Sequence, residues 1–484
     1  MGRRRVILAC AIALLFGGAW YWAILATRPH LDPDTQLDRV LAARPGLRVP
    51  GLVRMDVRAF YESRDLTPAW VVENTLSPQV DPALNVLDSA SSHGLNPEDY
   101  DAWKLRADRN TLADAPVDER NANSYTESLL DFDLRLTSAL LTLGHDVSVG
   151  RLSPADLDPG WRSRRDPPNL PRTLARAISG DITHWLDDIA PTHSEYSALK
   201  AILADPERLA ASGRDDAAAV VAANMERWRW VPDDFGAHYV YVNIPAFSLV
   251  VHDRGTTPLT MRVVVGKAKT NETPLLSSEI SSVVLSPVWN IPTSISVKET
   301  IPAILRNPNY LATHGIDALR STGNGYARVD PATLVGSNAR DLRQLLYRQR
   351  PGAGNALGQV KFPFPNEYDV YLHDTPADGA FGRVMRALSH GCVRLEHPEQ
   401  LVEHALQPHT PDGRAWTPAQ ISRAMKSGHE QFVKLPEPIR VHLVYFTASV
   451  SADGHLVLID DVYGLDARHP QRPNLSGGRF AHLF

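Results

Sequence analysis

SHGCVRL, residues 389–395, holds one of only two cysteines in a chain of 484 residues. If the stretch lies on or near a strand, side chains two apart point the same way, so His390 and Cys392 share a face. Gly391 between them leaves room for backbone to approach a ligand. A free thiol has a pKa of about 8.5 and is a weak nucleophile at neutral pH until a base or a positive charge favours the thiolate. Two histidines qualify as that base: His390, and His373 in EYDVYLHDT (367–375). Backbone N–H groups near Gly391 and Cys392 are candidates for an oxyanion hole. Arg394 adds positive potential near a developing anion or a substrate carboxylate.

The other cysteine, Cys10, lies in VILACAIALLFGGAWYWAILA (6–26), a run without a charge. Its length matches the apolar thickness of a bilayer. Arg3, Arg4 and Arg5 precede it, so the positive-inside rule retains a stub of residues 1–5 in the cytoplasm and exports the rest. Trp20, Tyr21 and Trp22 fit an interfacial aromatic belt. A cleavable signal peptide is the competing reading, but no A-x-A-like site precedes Arg28. Cys10 is most simply a small buried apolar residue. Thiols in exported proteins normally pair. Cys392 has no exported partner within the chain, so it either bridges to another molecule or is kept for chemistry.

Hydrophobic content of 43% and a net charge of −5 are ordinary, and no basic field for nucleic acid stands out. The chain reads as α+β. Residues 31–215 are mainly helical, with TESLLDFDLRLTSALLTLGHDVSVGRL (126–152) the strongest helical pattern and SPADLDPGWRSRRDPPNLP (153–171) a Pro-rich loop. AAAVVAANMERWRW (217–230) is one helix leading into a mostly β domain, residues 216–466. β-Branched and aromatic runs mark its strands at 239–255, 257–267, 280–292, 367–375 and 439–465, with a hairpin expected around Ala452–Gly454. Residues 298–360 read as a helical insertion, with DLRQLLYRQR (341–350) as one helix. Beside the presumed catalytic strands it reads as a lid; a decorative subdomain is the plainer alternative. Residues 467–484 form a tail.

Plainer readings of the cysteine stretch exist. A lone Cys is most often an inert buried thiol. His373, His390, Cys392 and His397 are a conceivable zinc set, though their spacing resembles no familiar pattern and a metal would quench the thiol. His397, in LEHPEQ at an apparent helix start, is most simply a surface or capping residue.

HDT…SHGCVRL resembles the signature of YkuD-type L,D-transpeptidases. ERWRWVP (226–232), VNIPAFSLVV (242–251), MRVVVGK (261–267), TPLLSS (273–278), PVWNIPTSI (287–295) and KFPFPNEYDVYLHDTP (361–376) are similar to the large YcbB-like branch. FYESRDLTPAW (60–70) and SSHGLNPEDY (91–100) are similar to its scaffold domain. That branch commonly carries a peptidoglycan-binding module between scaffold and catalytic domains. Here residues 199–230 pass directly from one to the other.

The resemblance implies a two-step acyl transfer on peptidoglycan stem peptides. The Cys392 thiolate attacks the third residue of a tetrapeptide donor, terminal D-Ala leaves, and the side-chain amine of a second stem resolves the thioester as a 3→3 cross-link. Matching positions imply His373 as general base and acid, oriented by a backbone carbonyl, that of Asp374 being the candidate. They also imply supporting roles for His390, Gly391 and Arg394, and weaker ones for Trp289 and Tyr371 in the substrate groove. No cofactor or metal is implied. Inner-membrane attachment through the N-terminal helix, a periplasmic catalytic part and other wall-synthesis enzymes as partners are expected, and carbapenems as inhibitors. Transfer to water or to a lipoprotein amine, and a non-catalytic wall-binding scaffold, are the alternatives.

Overall fold

The computed structural model describes residues 51–116, 121–157, 165–407 and 416–468. The stub and span expected at 1–5 and 6–26, and the tail from residue 469, lie outside these. Among the described residues no helix is long and apolar enough to cross a membrane.

The helical region is built on Ala122–Val149, where Leu129, Phe132, Leu136, Leu140 and Leu143 are buried. Helices Gly51–Glu62, Val80–Asp88 and Ala102–Asp114 pack on it, with a small hairpin of β1 (Val71–Val72) and β2 (Thr75–Leu76) alongside. Asp133 in mid-helix is fully buried. It accepts hydrogen bonds from Tyr61 Oη (2.7 Å), Ala69 N (3.1 Å) and Trp70 N (2.5 Å). Burial nevertheless raises its carboxyl to about 6.

Ala217–Trp228 leads into the β region, and the strands begin at β3 (His238–Asn243), β4 (Ser248–Asp253), β5 (Thr256–Gly266) and β6 (Leu276–Leu285). Four strands of the insertion follow: β7 (Trp289–Ile291), β8 (Ile316–Ser321), β9 (Tyr326–Val329) and β10 (Leu346–Gln349). The main sheet resumes with β11 (Val360–Phe362), β12 (Leu372–His373), β13 (Ala387–Ser389), β14 (Val393–Leu395) and β15 (Gln431–Val444). Its order is β13-β5-β14-β12-β11-β6-β15-β3-β4, and β4 also pairs with β5. The pairings therefore close into a ring, which leaves no long free edge. β5 makes the closure: Met261 and Arg262 pair with β4, while Val263 and Val264 pair with β14. β16 (Ala448–Val450) and β17 (Leu456–Leu458) form the expected hairpin, turning through Gly454 at φ +86°.

The insertion differs from the helical segment expected at 298–360. It is a four-stranded antiparallel sheet of order β7-β10-β8-β9 with short helices around it. DLRQLLYRQR splits into a turn of helix, Ala339–Leu342, and strand β10. Arg, Gln, Leu and Ala in these short strands read as helix formers locally, and pairing with β7 and β8 overrides that preference. The insertion has its own core around Ile301, Leu311, Ala318, Leu342 and Tyr347, whereas one continuous core joins the helical region to the barrel.

Candidate active site

β12 runs parallel to β14 with Leu372 opposite Val393 and His373 opposite Arg394. β11 lies antiparallel on the other side of β12, with Lys361 opposite His373. Val360, Phe362, Leu372, Val393 and Leu395 are buried in the core. Alternation therefore turns Lys361, Tyr371, His373 and Arg394 to the other face, where Cys392 also lies. This shared face is the candidate site.

The turn that carries Cys392 departs from the sequence expectation. β13 ends at Ser389 and β14 starts at Val393, so residues 390–392 are not a strand. Gly391 has φ +119°, a conformation suited to glycine, and burial keeps alternating through the turn, with Ser389, Gly391 and Val393 buried. His390 is exposed, and its imidazole engages the insertion rather than the thiol. Its Nε2 lies 2.6 Å from Glu299 Oε1, on the π-helical turn Ser296–Thr300 of the insertion.

The turn is braced from behind. Ser389 Oγ donates to the Cys392 carbonyl (2.5 Å) and accepts from the Gly391 N–H (3.1 Å). Thr273 Oγ1 donates to the Gly391 carbonyl (2.7 Å) and accepts from Gly266 N (2.8 Å). Tyr463 Oη donates to the Gly266 carbonyl (2.7 Å). A Cβ on Gly266 would sit 2.0 Å from the Asn271 carbonyl oxygen, so only glycine admits this close approach. Because Ser389 occupies the Gly391 N–H, that group is not the free oxyanion donor the sequence suggested; the Cys392 N–H has no hydrogen bond among those described.

Cys392 is half-buried and unpaired. Its Sγ–H points at the Asp369 carbonyl at 3.8 Å, and Asp369 has φ +54°, which turns that carbonyl towards it. Burial pushes the thiol up, and Tyr371, Lys361 and Arg394 pull it down. Tyr371 interacts with both Cys392 and Trp289, and burial followed by the cysteine's charge raises its phenol far above the ordinary range. Trp289 and Tyr371, the two tentative groove residues, are thus brought together at the seam of barrel and insertion.

His373 is buried, and its Nδ1 donates to the Asp374 carbonyl at 2.5 Å. That carbonyl is the one anticipated, and it leaves Nε2 as the acceptor nitrogen. Burial first, and the Arg394 charge second, lower His373 to about 3, so the ring is neutral at pH 7. The register sets His373 diagonal to Cys392, roughly 8 Å between Cα atoms by strand geometry, and no direct hydrogen bond joins them. The Asp374 carboxylate accepts from Gln359 N (2.7 Å) and Thr375 N (2.6 Å), fixing the strand end rather than touching the thiol.

Arg394 is half-buried with its Nε unpaired. Lys361, which spacing did not single out, rests its Nζ 3.8 Å from the Tyr371 ring centroid. Only pairing across β11, β12 and β14 places it here, and no local pattern announces that register. His397 lies at the surface 3.9 Å from Glu396. Among the described residues no group of three or more His, Cys, Asp or Glu side chains is placed to hold a metal ion.

The closed β-barrel thus presents a thiol, a neutral imidazole, a lysine and an arginine on one face. Residues 237–421 match the L,D-transpeptidase catalytic domain family, YkuD, and residues 55–203 match a scaffold domain family. The chain therefore contains a YkuD-type L,D-transpeptidase catalytic domain preceded by a scaffold domain. It is 31% identical over 299 residues to a Haemophilus influenzae protein named "Putative L,D-transpeptidase", covering 62% of this chain and 58% of that protein. The match thus spans little more than half the relative's length. An L,D-transpeptidase from Mycobacterium smegmatis (15% identity, 43% of this chain and 58% of that one) superposes with a TM-score of 0.20. One from Enterococcus faecium (13% identity, 43% and 50%) gives 0.18. A likeness of that size carries no argument.

Proposed function

We propose that the protein is a peptidoglycan L,D-transpeptidase forming 3→3 cross-links through a thioester on Cys392. The observation that carries this reading is the shared face of β11, β12 and β14, where the thiol meets a neutral, carbonyl-oriented His373.

In the resting site the thiol donates to Asp369 and keeps its proton. On donor binding, Sγ attacks the carbonyl carbon of the third stem residue while the thiol proton passes to His373 Nε2. The imidazolium is costly beside Arg394, so it hands that proton on promptly to the departing D-Ala nitrogen as the C–N bond breaks. The Cys392 N–H faces the transient oxyanion, and Arg394 adds charge beside it. An acceptor amine then attacks the thioester, His373 takes its proton, the C–S bond breaks, and Cys392 recovers the proton. Asp374 holds the ring through its carbonyl, and Trp289 and Tyr371 wall the groove. His390 ties the insertion to the turn through Glu299, which suits a lid over the site. Residues 6–26 anchor the chain in the inner membrane, with residues 31–215 as scaffold and 216–466 as catalytic domain in the periplasm.

The test is incubation of the full chain with tetrapeptide muropeptides and separation of the products. Crosslinked 3→3 dimers support the reading. A tripeptide product without dimers shifts it to a carboxypeptidase, and no turnover above that of Cys392→Ala removes it.

A further inference from the structure

Lys361 is half-buried on β11 and takes part in none of the ion pairs among the described residues. Its ammonium lies instead over the Tyr371 ring, whose hydroxyl interacts with the Cys392 thiol. An amino group in such surroundings loses hydration and gains only the weak attraction of a ring face. Such a position is costly, and here the ring that the ammonium covers interacts with the thiol. Burial lowers the Lys361 ammonium and raises the Cys392 thiol from their ordinary values, while each group draws the other towards its charged form.

We propose that Lys361 is a positioning residue of the site: its charge, delivered along the Tyr371 ring, eases loss of the Cys392 proton during attack, a task a histidinium ordinarily performs. The inference rests on Cys392 being the nucleophile. The usual partner of a catalytic thiolate is a protonated imidazole. His373 cannot serve, because burial and Arg394 keep it neutral down to about pH 3. Around the thiol the facing groups are Tyr371 just before β12, His373 from β12, Arg394 from β14, Lys361 from β11 and the Asp369 carbonyl from the preceding loop. Glu430 and Asp369 lie near enough to Lys361 to temper its charge. Of these only Lys361 and Arg394 are cations at neutral pH. Arg394 acts also on His373, so Lys361 is the charge that favours the thiolate without opposing the base as strongly.

The experiment is the pH dependence of iodoacetamide alkylation at Cys392 in the full chain, with the adduct mapped by peptide mass to exclude Cys10. Lys361→Met is expected to move the alkylation midpoint upward by about one pH unit, slowing the reaction near pH 7 roughly tenfold. Lys361→Arg keeps the charge and is expected to retain the wild-type midpoint. Lys361→Gln gives a second neutral variant should the methionine chain lose its fold by circular dichroism. An unmoved midpoint in a folded neutral variant overturns the proposal. So does a raised KM for the donor stem with the midpoint unchanged, which would make Lys361 a substrate contact. Failure of wild-type Cys392 to alkylate at any pH overturns the nucleophile reading itself, a result distinct from either.

Discussion

Gly391 decides where the sulfur points. At φ +119° any other residue is strained, yet a Cβ there meets no atom closer than 3.8 Å. Gly391→Ala is therefore expected to fold, at a cost of about 1–2 kcal/mol, while displacing the Cys392 turn from Ser389 and Thr273. A shift of that size in a reacting atom lowers rate far more than stability, roughly a hundredfold. Urea unfolding set beside the rate of Cys392 acylation checks this; equal activity with equal stability would show that the turn tolerates another geometry. The motif residues were the most legible part of the chain, because one of only two cysteines set among histidines is an anomaly that composition exposes. Legibility stopped at geometry. Period-2 spacing related His390 to Cys392 but gave no sign that the imidazole would engage Glu299 of the insertion.

Among the elements, β15 ties the barrel together, pairing with β6 on one side and β3 on the other. His442 on β15 is buried at the join. Its Nδ1 accepts from Ser277 Oγ (2.8 Å) and its Nε2–H donates to the Phe235 carbonyl (3.1 Å). Burial lowers it to about 4 against an ordinary 6.5. The unfolded chain thus binds a proton at pH 6 that the folded chain refuses. Stability from this group is complete above pH 6.5 and is lost as pH falls from there to about 4, by about 1.4 kcal/mol per unit. His442→Gln is expected to flatten the pH dependence of urea unfolding between pH 4.5 and 6.5 by about that slope; an unchanged slope would mean the ring is protonated in the fold.

The main-sheet strands were readable because runs such as MRVVVGK are β-branched and long enough to show their pattern. The insertion's strands were not. β9 is exposed along most of its length, and Tyr326, Ala327 and Arg328 give no alternation of buried and exposed positions. The parallel pairing of β12 with β14 was equally invisible, since it joins segments separated by a loop and depends on tertiary register. Lys361 went unnoticed for that reason.

Across the whole molecule the helical region and the barrel share one core, and the join is polar at its centre. Asn224 Nδ2 donates to Thr447 Oγ1 (2.8 Å), and its Oδ1 accepts from Thr447 N (2.8 Å). Arg227, 1% exposed, pairs with Asp466 at 2.6 Å and lies over the Tyr445 ring. Removing the carboxylate strands a buried guanidinium. Asp466→Ala is expected to cost about 3–5 kcal/mol in urea unfolding, felt by both regions together because their core is continuous. A loss below about 1 kcal/mol would indicate that water satisfies Arg227. The insertion keeps a separate core, and the His390–Glu299 contact links it to the Cys392 turn. Neither the shared core nor the polar join was visible in sequence, where ERWRWVP read only as the end of a helix and as part of the family resemblance.

The claim on which everything else depends is that Cys392 becomes acylated. The full chain should be mixed with a tetrapeptide donor stem, quenched in acid to preserve thioesters, digested and analysed by mass spectrometry. The expected result is an adduct on the peptide containing Cys392, carrying the donor without its terminal D-Ala, and absent from the Cys10 peptide. The adduct should also accumulate when the acceptor amine is withheld. Turnover of the donor with no adduct on Cys392, or unchanged turnover by Cys392→Ala, would contradict the account.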